Sequence, residues 1–452
     1  MGLALKKASG RNTFERGVHP PERKHFASEA VIETMPTPEK VVLPLIQHIG
    51  APCEAVVKPK QEVAFGEEVA KGKGFISASI YSPIAGVVQK NAVTTLPNGR
   101  HLPAIVIQAA GAQKEGEAML QEILGGDWSK EKVDTQRPQE ILDAVLNAGI
   151  VGLGGAAFPT HVKLAPNEKN VVDTVLINGC ECEPYLTCDY RLMVEHPEPV
   201  ISGALLAARA TGAQKIFIGV EDNKPLAVQS LREAVRGTDI SIAVVKTKYP
   251  QGSEKQLIKA ILNREVPVGS LPLNVGVVVM NVGTAAAVAR AVFRKMPLTH
   301  RVICVTGAGI RTPKNVLAPI GTSYGELISF CGGLTDDAAR LISGGPMMGF
   351  SFTNPGTPVT KGTSGLTVLT ESDLKRESET SCIRCGRCAD VCPMNLVPTK
   401  CALAAKYNDV SLARRYHIMA CFECGSCAYI CPANIPLVQL IRMGKAMVTS
   451  NK

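Results

Sequence analysis

Two cysteine runs carry the most specific chemistry in this chain. The first is CIRCGRCADVCP from Cys382 to Pro393, and the second is CFECGSCAYICP from Cys421 to Pro432. Both read C-x2-C-x2-C-x3-C-P, the spacing of paired 4Fe–4S sites in which the fourth cysteine serves the other cluster. Three closely spaced thiolates wrap one face of a cube. Small residues in the turns aim backbone N–H groups at the sulfurs, and the proline sends the fourth thiolate across. By that rule Cys382, Cys385, Cys388 and Cys431 hold one cluster, and Cys421, Cys424, Cys427 and Cys392 hold the other. Zinc would ask for four ligands from two CxxC knuckles, which is a different pattern. Cys401, left over, reads as a small buried hydrophobe.

A second constellation is glycine-rich: GLGGAAFPTHVK, from Gly152 to Lys163. A loop of this kind between a helix and a strand lets backbone amides approach a phosphate, and Lys163 adds a charge. It is neither a Walker sequence nor the spacing of the standard dinucleotide fingerprint. NGCECEP follows, from Asn178 to Pro184, at the end of an expected strand.

These runs resemble the flavin-bearing, NADH-oxidising subunit of respiratory complex I. GLGGAAFPTHVKL is similar to its GRGGAGFPTGLKW and NGCECEP to its NADEGEP; Gly252–Leu257 (GSEKQL) is similar to GEETAL and Met280–Thr284 (MNVGT) to NNVET. SYGELISFCGG and SGGPMMG resemble the β-grasp (SLBB-like) module that follows in that family. The order of barrel, flavin domain, β-grasp and two-cluster ferredoxin is similar to the C subunit family of the Rnf complex, over nearly the whole chain. The resemblance implies FMN, bound noncovalently, at Gly152, Gly154, Gly155, Lys163, Asn178, Asn281 and Thr284. It implies Glu181 and Glu183 as the catalytic carboxylates near isoalloxazine and nicotinamide, with Phe158 and Glu254 near the dinucleotide. Cys180, Cys182 and Met280 depart from the motifs, standing for Asp, Gly and Asn. Cys180, Cys182 and Cys188 also form a C-x-C-x5-C group, read here as packing thiols because the flavin motif already accounts for the turn. NAD(H) would be substrate and ferredoxin the other redox partner, directly or through the complex. NADH gives up a hydride while each cluster takes one electron, so FMN belongs between them. The implied setting is peripheral, on the cytoplasmic face of the cell membrane, beside Rnf-type membrane subunits and an iron–sulfur subunit. Two alternatives of similar build are a flavin and iron–sulfur cobalamin reductase of propanediol utilisation and a non-enzymatic electron-carrying scaffold. The HPPERK run ahead of the barrel favours the Rnf-type subunit.

The elements that position these groups follow from pattern. Residues 1–40 are polar and proline-punctuated, with HPPERK at His19–Lys24, and read as an extended strap. Residues 41–111 carry short β-like runs between glycines, in the rhythm of a biotinyl/lipoyl-type barrel. The position where that family bears its modified lysine is Phe75, so the barrel is expected without a swinging arm; Lys73 is the neighbour. From 137 to 300 strands alternate with helices, as in an α/β domain with a mainly parallel sheet; the first helix presents Ile141, Leu142, Val145 and Leu146. Residues 301–370 return to β runs about one helix, and 371–452 are helical around the cysteines. The fold class is multidomain α/β plus β. His161 and the Arg414–Arg415 pair read as solvated or core residues.

Composition bounds the rest. The 452 residues are 45% hydrophobic and 20% charged, a globular balance, with net charge +9. One Trp, eight Tyr and eleven Phe are too few for nucleic-acid stacking platforms, so no nucleic-acid partner is expected. Nine of the 15 cysteines fall between Cys382 and Cys431, which suits metal ligation in a reducing compartment better than a disulfide scaffold. Lys6 and Lys7 stand where a leader's apolar stretch would run. Val266 to Ala289 has no charge, but Pro267, Pro272, Asn274, Gly276, Asn281 and Gly283 interrupt it. It reads as buried strand, turn and helix rather than a membrane span.

Overall fold

The computed structural model describes residues 11–90, 92–165, 171–374 and 377–450. The leader region at Lys6 and Lys7 lies outside them. No helix among the described residues is long and apolar enough to cross a membrane.

The β-rich amino-terminal region forms two small antiparallel sheets. Lys40–Pro44, His101–Ala109, Gly86–Val88 and Glu62–Val63 make one, with Ala92–Thr95 pairing His101–Ala109; Glu54–Ala55, Glu68–Lys71 and Ile80–Tyr81 make the other. Val41, Leu43, Val69, Ile80 and Ile107 close the space between them and are buried. The hairpin tip carries Phe75, 69% exposed, where a modified lysine would stand. Its ring lies edge-on to His161 of the glycine-rich segment, and its carbonyl meets His161 Nε2 at 3.1 Å. Burial keeps the His161 pKa below its usual value.

The flavin-type region is a four-stranded parallel sheet in the order Ile240–Val245, Lys215–Glu221, Thr174–Asn178, Val277–Asn281. Its central strands read as continuous apolar runs because helices cover both faces. Pro197–Thr211 and Val282–Arg294 pack on one side, Glu254–Leu262 on the other. The uncharged stretch from Val266 resolves into a short 3-10 turn, the strand Val277–Asn281 and the helix Val282–Arg294. In the helix Pro138–Asn147, Ile141 and Val145 are buried while Leu146 is 45% exposed, so the inward stripe is narrower than the sequence pattern.

A six-stranded mixed sheet follows, and its edge differs from expectation. Ile32–Thr34 pairs in parallel with Lys314–Pro319, so the amino-terminal strap supplies a strand to the β-grasp sheet. The strap is therefore partly built into the fold rather than merely extended along it. Lys24–Phe26 adds one 3-10 turn.

The carboxyl-terminal unit is a tandem repeat with an offset of 39 (421 − 382). Arg387–Asp390 recurs as Ser426–Tyr429, and the helices starting at Pro398 and Leu437 correspond in the same way. The backbone repeats too: Arg384 and Glu423, Gly386 and Gly425, and Asn395 and Asn434 all have positive φ. Each pair of helices packs across the repeat.

Candidate flavin site and iron–sulfur centres

The strand Thr174–Asn178 and its parallel neighbour at the sheet edge, Val277–Asn281, end side by side, with Asn178 and Asn281 as register partners. Ligands of open α/β sheets sit outside such carboxyl ends. Asn281 caps the following helix: its Oδ1 accepts from the amides of Gly283 (2.8 Å) and Thr284 (3.3 Å). Its Nδ2 donates to Asp189 Oδ2 at 2.6 Å. Asn178 Nδ2 donates to the Gly252 carbonyl at 2.7 Å, and its Oδ1 accepts the Cys180 amide at 3.0 Å.

The glycine-rich loop is anchored at both ends. Gly152 N donates to Phe158 O at 2.8 Å, Leu153 N to the buried Thr284 hydroxyl at 2.8 Å, and Leu153 O accepts from Arg301 at 3.2 Å. Between these anchors Gly154, Gly155 and Ala156 are exposed, and among the described residues no carbonyl takes their amides. Gly155 has φ +103 with open space where a Cβ would stand, while a Cβ on Gly154 would meet Asn281 at 3.3 Å. Three consecutive exposed amides without a carbonyl acceptor among the described residues are backbone of the kind that takes a phosphate. Lys163 Nζ lies between Glu254 Oε1 (2.5 Å) and the Val279 carbonyl (3.1 Å). The structure thus pairs two residues read separately, one for FMN and one for the dinucleotide. Phe158 is half-buried within the same segment.

The NGCECEP turn places its carboxylates differently. Buried Glu181 accepts from the amides of Asp189 (3.0 Å) and Tyr190 (3.2 Å) and from the Cys188 thiol (3.3 Å), so it caps the helix Cys188–Glu195. Glu183 accepts from the amides of Met347 (3.1 Å) and Met348 (2.8 Å), in the SGGPMMG segment of the β-grasp region. Burial pushes the Glu183 pKa up to about 7 against the lowering effect of those amides and of Lys24. Asp189 is likewise raised to about 7, by burial first and then by neighbouring Glu181. Cys180 and Cys188 are buried thiols that donate to Gly219 O (3.6 Å) and to Glu181 and Ser364 O (both 3.3 Å). Burial raises their pKa values, and that of Cys182.

The sequence alone does not point to two further residues of this site. Asp189 sits in the first turn of a helix, where an acid ordinarily reads as complementing the helix dipole. Lys24 lies in the strap far along the chain, yet its ammonium donates to the carbonyls of Glu183 (3.1 Å) and Leu186 (2.6 Å). The HPPERK run is the signal for it, and that run offers no hint of where it docks.

Among the cysteines, Cys392, Cys421, Cys424 and Cys427 line one small cavity, with Leu396, Val438 and Ile441 as its apolar wall. The amides of Leu396 and Glu423 donate to Cys392 Sγ (3.4 Å) and Cys421 Sγ (3.3 Å). Burial and then mutual proximity push the Cys421 thiol up to about 12, as expected for crowded thiols that a metal must deprotonate. This soft four-sulfur set, with N–H groups on the sulfurs, fits an iron–sulfur cluster. Cys382 and Cys385 are exposed, and Cys388 and Cys431 half-buried against Ala402 and Leu437. Cys401 is buried, its thiol on the Tyr416 carbonyl at 3.5 Å. Arg414 and Arg415 lie on an exposed helix face.

The flavin turn and the second cysteine run touch. Tyr249, Cys182, Met347, Cys424, Phe422 and Val18 form one apolar cluster. Within it, the Tyr249 hydroxyl donates to Cys424 O at 2.6 Å.

Fold and sites define a flavin- and iron–sulfur-bearing electron-transfer protein of several domains. Family models match in the same order: an RnfC barrel sandwich hybrid domain at residues 12–112, a Nuo51 FMN-binding domain at 145–290, an SLBB domain at 302–351 and a 4Fe-4S dicluster domain at 381–435. The chain is 44% identical to the C subunit of the proton-translocating ferredoxin:NAD(+) oxidoreductase complex of Clostridium ljungdahlii, over 86% of this chain and 83% of the relative. It is 42% identical to the C subunit of the ion-translocating oxidoreductase complex of Rhodobacter capsulatus, over 96% of this chain and 83% of the relative. Against the Na(+)-translocating counterpart of Acetobacterium woodii, identity is 42% over 88% of each chain. The chain belongs to this family of C subunits. A solved NAD+-reducing [NiFe]-hydrogenase shares the fold, with TM-score 0.50 and 21% identity over 71% of this chain and 68% of that one.

Proposed function

We propose that this chain is the subunit that exchanges electrons between NAD(H) and ferredoxin in an ion-translocating membrane complex. Bound FMN supplies the conversion between hydride and single-electron transfer. The exposed amides of Gly154, Gly155 and Ala156 take its phosphate, with Lys163 moving between Glu254 and the phosphate. Asn178, Asn281 and Thr284 hold the loop and strand ends that shape the site. Glu183 and Glu181 border the redox end, Glu183 by its own carboxylate and Glu181 by fixing the turn. Phe158 and Glu254 face the dinucleotide.

Cys421, Cys424, Cys427 and Cys392 would hold the cluster nearer the flavin site, and Cys382, Cys385, Cys388 and Cys431 the outer one, so that the two would supply single-electron carriers in that order. The observation that carries this order is the apolar cluster in which Cys182, Tyr249 and Met347 abut Cys424, while Cys382 and Cys385 are exposed. The outer cluster would face an iron–sulfur subunit or ferredoxin. We place the chain at the cytoplasmic face beside membrane subunits that move the ion.

The test is reconstitution with iron, sulfide and FMN, followed by cofactor assay and NADH-dependent reduction of ferricyanide and of the clusters. Iron incorporation without flavin, or flavin without NADH oxidation, overturns the reading in favour of an electron-carrying scaffold.

A further inference from the structure

The amino-terminal strap touches both halves of the relay. On the iron–sulfur side, Arg16 Nη1 donates to Ala389 O at 2.7 Å and Gly17 N to Val391 O at 3.0 Å, both between Cys388 and Cys392. Val18 then exchanges two backbone hydrogen bonds with Tyr249, each 2.9 Å, and Tyr249 reaches Cys424. On the flavin side, Glu22 O accepts the Tyr185 amide at 2.8 Å, and the Glu22 carboxylate accepts from Asn223 at 2.8 Å. Lys24 binds the carbonyls of Glu183 and Leu186, so one ammonium spans the turn behind Glu183. Phe26 stacks on Tyr185, ring centroids 5.8 Å apart. Asn12 joins the sheet region through Ala260 and Lys246, and Ile32–Thr34 fixes the far end in the β-grasp sheet. Both ends are thus pinned, and the middle can transmit position.

We infer that residues 12–34 form a clasp that sets the flavin turn against the iron–sulfur unit, with Lys24 and Arg16 as its positioning residues. The inference rests on the proposed flavin site. Lys24 is not a group that reacts; it holds the backbone carbonyls of Glu183 and Leu186, and so the turn that carries the Glu183 side chain. A partly buried ammonium on two carbonyls gives charge-assisted bonds that a neutral chain of the same length cannot replace. Misplacement of a reacting or donor group by about 1 Å costs rates on the order of a hundredfold, so partial slackening is expected to cost roughly tenfold.

The experiment compares Lys24→Met, Lys24→Arg and Arg16→Ala in the full reconstituted chain. FMN and iron contents are measured first and are expected to match the parent. Lys24→Met should speed amide hydrogen exchange across residues 181–186 and slow NADH-to-ferricyanide turnover about tenfold, with Lys24→Arg restoring most of both. Arg16→Ala should leave the ferricyanide reaction unchanged and slow cluster reduction by NADH in stopped flow. Parent-like exchange and rates in Lys24→Met, or parent-like cluster reduction in Arg16→Ala, overturn the clasp. A parent chain that takes no flavin would overturn the proposed function instead, so the two failures are distinct.

Discussion

Replacing Cys392 by alanine separates two ligation schemes that the sequence alone leaves adjacent. Cys392 follows Cys388 by four residues, so proximity along the chain would give it to the first cluster. The structure puts it in the cavity of Cys421, Cys424 and Cys427, with the Leu396 amide on its sulfur. Under that arrangement the variant loses one of four ligands at the inner cluster and none at the outer one. Iron should fall from about eight to about four per chain, because each cluster holds four irons. The assay is iron and sulfide analysis with electron paramagnetic resonance of the reduced protein. Reference spectra come from Cys385→Ala and Cys424→Ala, which damage the first and second runs. The Cys392→Ala spectrum should match that of Cys424→Ala, and Cys431→Ala that of Cys385→Ala. Because cluster binding and folding are coupled, Cys392→Ser is run in parallel; its oxygen ligand should shift the inner cluster's signal without removing it. A Cys392→Ala spectrum matching Cys385→Ala would refute the crossed assignment.

Lys163→Ala should weaken FMN binding by about 1.5–3 kcal/mol, roughly ten- to a hundredfold, through loss of a charge-assisted phosphate contact; fluorescence titration of apoprotein checks it, and an unchanged Kd sinks the loop assignment. Glu183 has its pKa raised from 4.5 to about 7 in the folded chain. The folded state therefore binds its proton more tightly, and stability present below pH ~4.5 is lost as pH rises through about 7, by at most about 3 kcal/mol. Urea unfolding of apoprotein should show that loss between pH 5 and 7.5 and a flatter profile in Glu183→Gln; equal slopes contradict it. Acid denaturation should release all flavin into solution, and yellow colour left on the chain would show a covalent link.

The 4Fe-4S dicluster region was legible because its cysteine spacing is the chemistry: a thiolate every third residue has few other uses. The parallel sheet was legible from apolar runs alternating with amphipathic helices. What pattern could not supply was long-range docking. Leu146 satisfies the helical period, yet it stays half-exposed because its side of the helix is turned from the core. Lys24 lies 159 residues from the carbonyl it binds at Glu183, and no local signal encodes that distance. The strand Ile32–Thr34 is three residues long, too short to announce itself by alternation, and exists because an edge of another domain's sheet receives it.

The same distinction explains how the flavin motif works. A motif reading treats Asn178, Asn281, Thr284 and Glu181 as groups that face a ligand. In the fold their side chains are engaged with one another's surroundings: Asn281 caps a helix and holds Asp189, Thr284 takes the Leu153 amide, and Glu181 caps the next helix. What they leave exposed and without a carbonyl acceptor, among the described residues, is the backbone at Gly154, Gly155 and Ala156. Under the proposed reading such a site would take a phosphate on backbone amides, with Lys163 adding the one side-chain charge. The identities of the polar residues then matter for the shape of a loop they do not belong to. Cys180 and Cys182 stand where the related motif has Asp and Gly. Cys180 still gives its amide to Asn178, and its thiol turns into the sheet toward Gly219. Cys182 packs toward Cys424, on the side where electrons would leave.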